Sequence, residues 1–89
     1  MPAIDVYTKF LCPYCTRAKE LLKSKRVSFN EIDISMGGEK REEMIARTGG
    51  ASTVPQIFIG ERHIGGSDDL AALDRADELD ALLAEGGAA

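Results

Sequence analysis

Apolar and polar residues alternate along Ala3–Thr8 and again along Val27–Ile34, and this period of two predicts a β-strand in each segment. Between them Ala18, Leu21 and Leu22 recur at helical spacing, which predicts a helix from Pro13 to Lys25. Gly37-Gly38 interrupts the chain. The charged run Glu39-Lys40-Arg41-Glu42-Glu43 then leads into Met44-Ile45-Ala46-Arg47, a second helix whose charges form a solvated face. Thr48–Ser52 reads as a loop. Gln56–Ile59 and Arg62–Ile64 flank Gly60-Glu61, a two-residue spacing that suits a β-hairpin. Gly65-Gly66 is a further break. From Asp68 onward Leu70, Leu73, Leu79, Leu82 and Leu83 fall at helical intervals, in two helical pieces, and residues from about 84 to 89 form a frayed tail.

The order β-α-β-α-β-β-α defines an α/β fold. The first two strands are parallel if the intervening helix crosses over right-handedly, and the last two pair as an antiparallel hairpin. The result is a four-stranded mixed sheet flanked by helices. At 89 residues the chain has room for one domain, 1–89, with one core.

Composition narrows the function. A net charge of −4 and an isoelectric point near 4.9 argue against the basic stripe of a nucleic-acid-binding protein. No apolar run reaches membrane-spanning length, and Met1-Pro2-Ala3-Ile4-Asp5 lacks the basic and apolar regions of a signal peptide. A cytoplasmic address follows. Its reducing conditions favour a catalytic over a structural cysteine pair.

The chain has two cysteines, in Cys12-Pro13-Tyr14-Cys15 at a strand-to-helix junction. That is the setting of thiol–disulfide exchange sites. A helix N-terminus offers unpaired N–H groups and a partial positive charge, both of which favour a thiolate over a thiol. The nucleophile is therefore the cysteine at the helix mouth, Cys12. Pro13 suits the first helical position, where its missing N–H costs nothing. A bridge across so short a loop would add little stability through loop entropy, so a structural staple is a poor reading.

Two more segments carry chemistry. Thr53-Val54-Pro55 stands before the third strand, where a proline cannot donate to a ladder. Alone it reads as an ordinary loop proline. Between C-x-x-C and a hairpin, it reads as a tight turn, cis at the proline, bringing the Val54 backbone toward the cysteines to pair with an extended peptide. Gly65-Gly66-Ser67-Asp68-Asp69 precedes the last helix, which Ser67 or Asp68 can cap. The glycines also admit a ligand close to free N–H groups, and Asp68 beside them can meet an ammonium group, an arrangement that suits an α-amino acid terminus. Lys9 offers a charge for a second carboxylate and favours the Cys12 thiolate. His63 reads as a surface or strand-end residue, and Met36 and Met44 as core or loop filler.

These motifs, with Tyr7-Thr8-Lys9 and Gln56-Ile57-Phe58-Ile59, resemble the glutaredoxins, most closely the small bacterial dithiol class, over about Ala3–Leu83. The resemblance implies a thioredoxin-like fold, a cis peptide before Pro55, and glutathione as co-substrate. It implies that Cys12 attacks a disulfide or receives glutathione and that Cys15 resolves. By the same motifs Thr53, Val54 and Pro55 hold the cysteinyl backbone of glutathione, and Gly66, Ser67 and Asp68 its γ-glutamyl end. Lys9 and Tyr14 face its glycyl end and body, with Arg41 a further candidate there. The implied protein is a monomeric enzyme that reduces protein disulfides by a dithiol route and glutathione mixed disulfides through Cys12 alone. Its electrons come ultimately from glutathione reductase, without metal, nucleic acid or membrane. Two departures stand out. Ser67 replaces a cysteine found in several relatives, and the loop Gly49–Ser52 is about one residue longer than usual.

Two other readings compete. One is a carrier in which Cys12 and glutathione hold an iron–sulfur cluster between two chains; Pro13 stiffens the turn against it. The other is a disulfide reductase fed by a thioredoxin-type reductase, which leaves Lys9 and Gly65–Asp68 without a joint purpose. A zinc site needs about four ligands, and two cysteines with His63 supply too few.

Overall fold

The computed structural model describes residues 3–86. Its elements are β1 (Ile4–Thr8), α1 (Pro13–Ser24), β2 (Asn30–Asp33), α2 (Gly38–Thr48), β3 (Gln56–Ile59), β4 (Arg62–Gly65), α3 (Ser67–Arg75) and α4 (Leu79–Gly86). The strands form one mixed sheet in the order β2-β1-β3-β4. β1 runs parallel to β2 and antiparallel to β3, and β3 pairs antiparallel with β4, as the sequence order implies. This is the thioredoxin-like arrangement.

Period-two alternation in the two central strands divides the interior. Ile4 and Val6 of β1 and Ile57 and Ile59 of β3 join Ala18 and Leu22 of α1, Leu70 of α3, and Leu79 and Leu83 of α4. Tyr7 and Phe58 point the other way, into a smaller cluster with Ile34 and with Met44 of α2. Successive strand side chains face opposite sides, so a central strand covered on both is apolar throughout. Met44 is thus core, whereas Met36 is 97% exposed on the turn before α2.

Polar ties fix the helices against these cores. The Tyr7 hydroxyl donates to Glu43 of α2 at 2.5 Å and accepts from Arg47 at 2.9 Å. Arg47 also bridges to Asp5 at 3.0 Å and lies 4.0 Å from the Phe58 ring centroid. Lys25, the residue that closes α1, meets Asp74 of α3 at 2.6 Å and Asp80 of α4 at 3.0 Å. Among the described residues no helix is long and apolar enough to cross a membrane.

Several boundaries differ from the sequence expectation. The second strand begins at Asn30 rather than Val27, because β1 offers partners only from Asp5, opposite Asn30. Val27 and Phe29 are apolar for another reason: they pack as a loop against the larger core. α2 takes in Gly38 and Thr48, expected as break and loop, and stops at Gly49, whose φ of +74° suits glycine. The leucine-rich end is two helices, as expected. The expected frayed tail overlaps α4, which runs to Gly86, and its last residues lie outside those described.

Leu22 is fully buried under the sheet. Leu22→Ala should lower the unfolding free energy by about 3 kcal/mol in urea titrations, whereas Met36→Ser should change it by less than about 0.5 kcal/mol.

Candidate active site

β1 ends at Thr8, the loop Lys9–Leu11 turns the chain, and α1 begins at Pro13 with Cys12 as its N-cap. Cys12 is extended, with φ −107° and ψ 108°, and its Sγ accepts the Cys15 N–H at 3.3 Å. Sulfur therefore does the work of a capping oxygen at the positive end of the helix. Leu11, just before it, holds a left-handed φ of +55° while 85% exposed. An exposed leucine in a disfavoured conformation beside a nucleophile is the sort of local cost that functional sites carry.

The two thiols differ sharply. Cys12 is half-buried and opens to a cleft, whereas Cys15, one turn into the helix, is 2% exposed. Burial, then its proximity to Cys12, pushes the Cys15 thiol up to about 11. The cysteines are free. Cys12, Pro13 and Cys15 line one cleft of about 410 Å³ together with Lys9, Lys19, Glu31 and Asp33. Glu31 is held below the usual carboxylate range chiefly by its pairing with Lys19, and Asp33 chiefly by bonding to Ser35.

Tyr14 points to a second cleft, of about 390 Å³, lined by Thr53, Val54, Pro55, Gly66, Ser67 and Asp68. The Val54–Pro55 peptide is cis. A Cβ built on Gly66 would lie 3.5 Å from the Pro55 carbonyl oxygen, so the second and third sequence motifs abut. The fold thus gathers Tyr14, Thr53, Val54, Pro55, Gly66, Ser67 and Asp68 around one cavity. Lys9 stands with Cys12 in the first cleft, on the other side of the C-x-x-C turn. Arg41, on α2, lines neither cleft.

The cap of α3 corrects one expectation. Neither Ser67 nor Asp68 is the cap; Gly66 is, and its N–H donates to the Asp69 carboxylate at 3.0 Å. Asp69 stands at the third helical position, where an acid reaches back to the N-cap amide. One of the supposedly free donors is therefore taken. The N–H groups of Ser67 and Asp68 remain, since an α-helix leaves its first turn unpaired. The Asp68 carboxylate is exposed on the cleft rim, with no ion-pair partner among the described residues. Gly65 is required by the same cap: its φ is +115°, and a Cβ there would strike the Asp69 carboxylate.

Two residues to which the sequence reading gave no role in the site, Gln56 and His63, line the second cleft. Gln56 donates through Nε2 to the Thr53 carbonyl at 3.0 Å and to its hydroxyl at 3.2 Å, and its Oε1 lies 2.7 Å from Nε2 of His63. His63 stacks on Phe58, with centroids 4.8 Å apart. Arg17 lies 5.4 Å from the Tyr14 ring centroid. A glutamine opening a strand gives no sequence signal for this role. Nor does a histidine whose partner is seven residues away across a hairpin.

Residues 4–64 match the family model for glutaredoxin. The chain is 59% identical to glutaredoxin 3 of Escherichia coli K12 over 83 residues, covering 93% of this chain and 99% of that protein. A glutaredoxin of Pseudomonas aeruginosa is 57% identical over 83 residues, with 93% and 98% covered. Among solved structures, a Brucella melitensis glutaredoxin is 52% identical with a TM-score of 0.82, covering 98% of this chain and 92% of that one. A buckwheat glutaredoxin–glutathione complex is 30% identical with a TM-score of 0.85, covering 97% and 80%. With a free cysteine pair at a helix mouth and this extent of likeness, the chain belongs to the glutaredoxin family and is a thiol–disulfide oxidoreductase.

Proposed function

We propose that the chain reduces protein disulfides through Cys12 and Cys15, and glutathione mixed disulfides through Cys12 alone, with glutathione as the reductant. The asymmetry of the thiols carries this reading: one caps a helix and opens to a cleft, and the other is buried behind it. Cys12 attacks a substrate sulfur and forms a mixed disulfide. Cys15 then attacks Cys12 Sγ, releases the substrate thiol and leaves a Cys12–Cys15 disulfide, which two glutathione molecules reduce in turn.

The second cleft suits the glutathione moiety. The Val54 backbone offers strand-like pairing to its cysteinyl unit, and the Ser67 and Asp68 N–H groups with the Asp68 carboxylate suit the amino-acid end of its γ-glutamyl unit. Lys9 meets the glycyl carboxylate from across the cysteine turn. The glutathione complex of the buckwheat relative supports the ligand. Arg41 has no part in this proposal, since it lines neither cleft. Turnover coupled to glutathione and glutathione reductase, against turnover with thioredoxin reductase, decides between this reading and a reductase fed by another protein. Rapid turnover with thioredoxin reductase and none with glutathione would overturn it.

Alkylation should separate the thiols. At neutral pH iodoacetamide should modify Cys12 of the reduced protein and spare Cys15, whose reactivity should rise only as pH approaches about 11. The same shift makes the fold weaker in alkali. The unfolded chain gives up this proton first, at roughly 8.5. The stabilisation from protonated Cys15 is present below that pH and lost as pH rises to about 11. Urea melts should show this alkaline loss in the wild type and a smaller one in Cys15→Ser.

Cys15→Ser should retain activity on a small glutathionylated substrate and lose most reduction of protein disulfides, whereas Cys12→Ser should lose both. Asp68→Ala and Lys9→Ala should each raise the glutathione concentration needed for half-maximal rate several-fold, with unchanged circular dichroism. A charge-assisted contact is worth about 1.5–3 kcal/mol, and less at exposed positions such as these.

A further inference from the structure

The first cleft contains an ion pair that the scheme above does not use. Lys19 stands four residues after Cys15 on α1, so the two side chains share a helix face with Cβ atoms about 5–6 Å apart. Lys19 Nζ binds the Glu31 carboxylate of β2 at 2.9 Å, and the same oxygen accepts the hydroxyl of buried Thr8 at 3.0 Å. Both partners are only partly exposed, 25% for the Lys19 side chain and 42% for that of Glu31. The ammonium is thus anchored at the cleft that Cys12 and Cys15 also line.

We infer that Lys19, fixed by Glu31 and Thr8, is a positioning residue for the second half of the dithiol reaction, its charge assisting Cys15 to act as a thiolate. The inference rests on the dithiol reading proposed above. In that step the Cys15 thiol gives its proton to water in the open cleft, and the thiolate attacks Cys12 Sγ. The Cys12–substrate bond breaks, and the substrate sulfur leaves with the electron pair and takes up a proton. The cysteine pair is oxidised by two electrons, and the substrate disulfide is reduced to two thiols.

The groups facing Cys15 agree with this assignment. They are Cys12 at the cap, Lys9 from the preceding loop, Lys19 on α1, and Glu31 and Asp33 on β2. Burial and Cys12 oppose ionisation of Cys15, while the Lys9 backbone N–H and the Lys19 charge favour it. The two carboxylates have other partners: Glu31 accepts from Lys19 and Thr8, and Asp33 accepts the Ser35 N–H at 2.7 Å. Lys19 is therefore the side-chain cation that acts on Cys15. Lys9 contributes there through its backbone.

The test isolates the release step. A fluorescent cysteine peptide is joined to Cys12 as a mixed disulfide at acid pH, and its release by Cys15 is followed after jumps to higher pH. Lys19→Met should slow release at neutral pH about three- to tenfold and raise the pH midpoint by about half a unit to one unit, because each unit is a factor of ten in thiolate fraction. Lys19→Gln should do the same. Lys19→Arg, which keeps the charge, should restore release to within about twofold. An unmoved pH midpoint in both neutral variants would overturn the inference and leave the dithiol reading intact. Equal slowing of glutathione attack on the mixed disulfide in a Cys15→Ser background would move the effect to Cys12 and also overturn it. No release from the wild-type protein at any pH would overturn the dithiol reading itself, and this inference with it.

Discussion

Strand β1 is flanked by β2 and β3 and covered on both faces, and that double burial governs the rest of the molecule. Ile4 and Val6 must meet α1, α3 and α4, while Tyr7 must meet α2. A shift of one residue in register would exchange the two sets and turn Asp5 toward the larger core, so the register is strongly specified. The cysteines lie only a short loop beyond this strand. Their position is inherited from the most constrained part of the sheet, although the loop itself is exposed.

The chemistry then depends on one helical turn. A helix mouth gives Cys12 a backbone donor and access to solvent, and the next turn carries Cys15 under the sheet with Ala18 and Leu22. Identical side chains three residues apart receive different environments: one accepts a backbone N–H and opens to solvent, and the other is buried where charge is opposed. Thiol–disulfide exchange needs this inequality, since the first thiol must attack outside partners while the second attacks only its neighbour.

The second cleft is held by less obvious means. Its floor is the meeting of the Val54–Pro55 turn with the Gly65-Gly66 turn, and its walls are tied by Gln56 to Thr53 and by Asp69 to Gly66. Polar side chains whose bonds are made to backbone groups fix a loop's shape without filling the cavity. Asp69 and Asp68 divide their labour accordingly. One carboxylate is consumed by the cap, and its neighbour is left at the cleft.

By themselves, the residues determined the order of elements, the parallel and antiparallel pairings, the hairpin at Gly60-Glu61 and the cysteine that caps a helix. These follow from local periods, turn chemistry and spacing, which are written in consecutive residues. The same local signals misplaced the start of β2 and the cap of α3. Val27 and Phe29 are apolar because they cover a core, not because they extend a ladder. Only the tertiary structure decided that Lys9 and Tyr14 line different clefts, that Arg41 lines neither, and that Gln56, His63 and Lys19 line them too. Those facts depend on pairs such as Lys19 with Glu31, brought together by strand register and helix docking. A bond between residues so distant in the chain leaves no periodic trace in either neighbourhood.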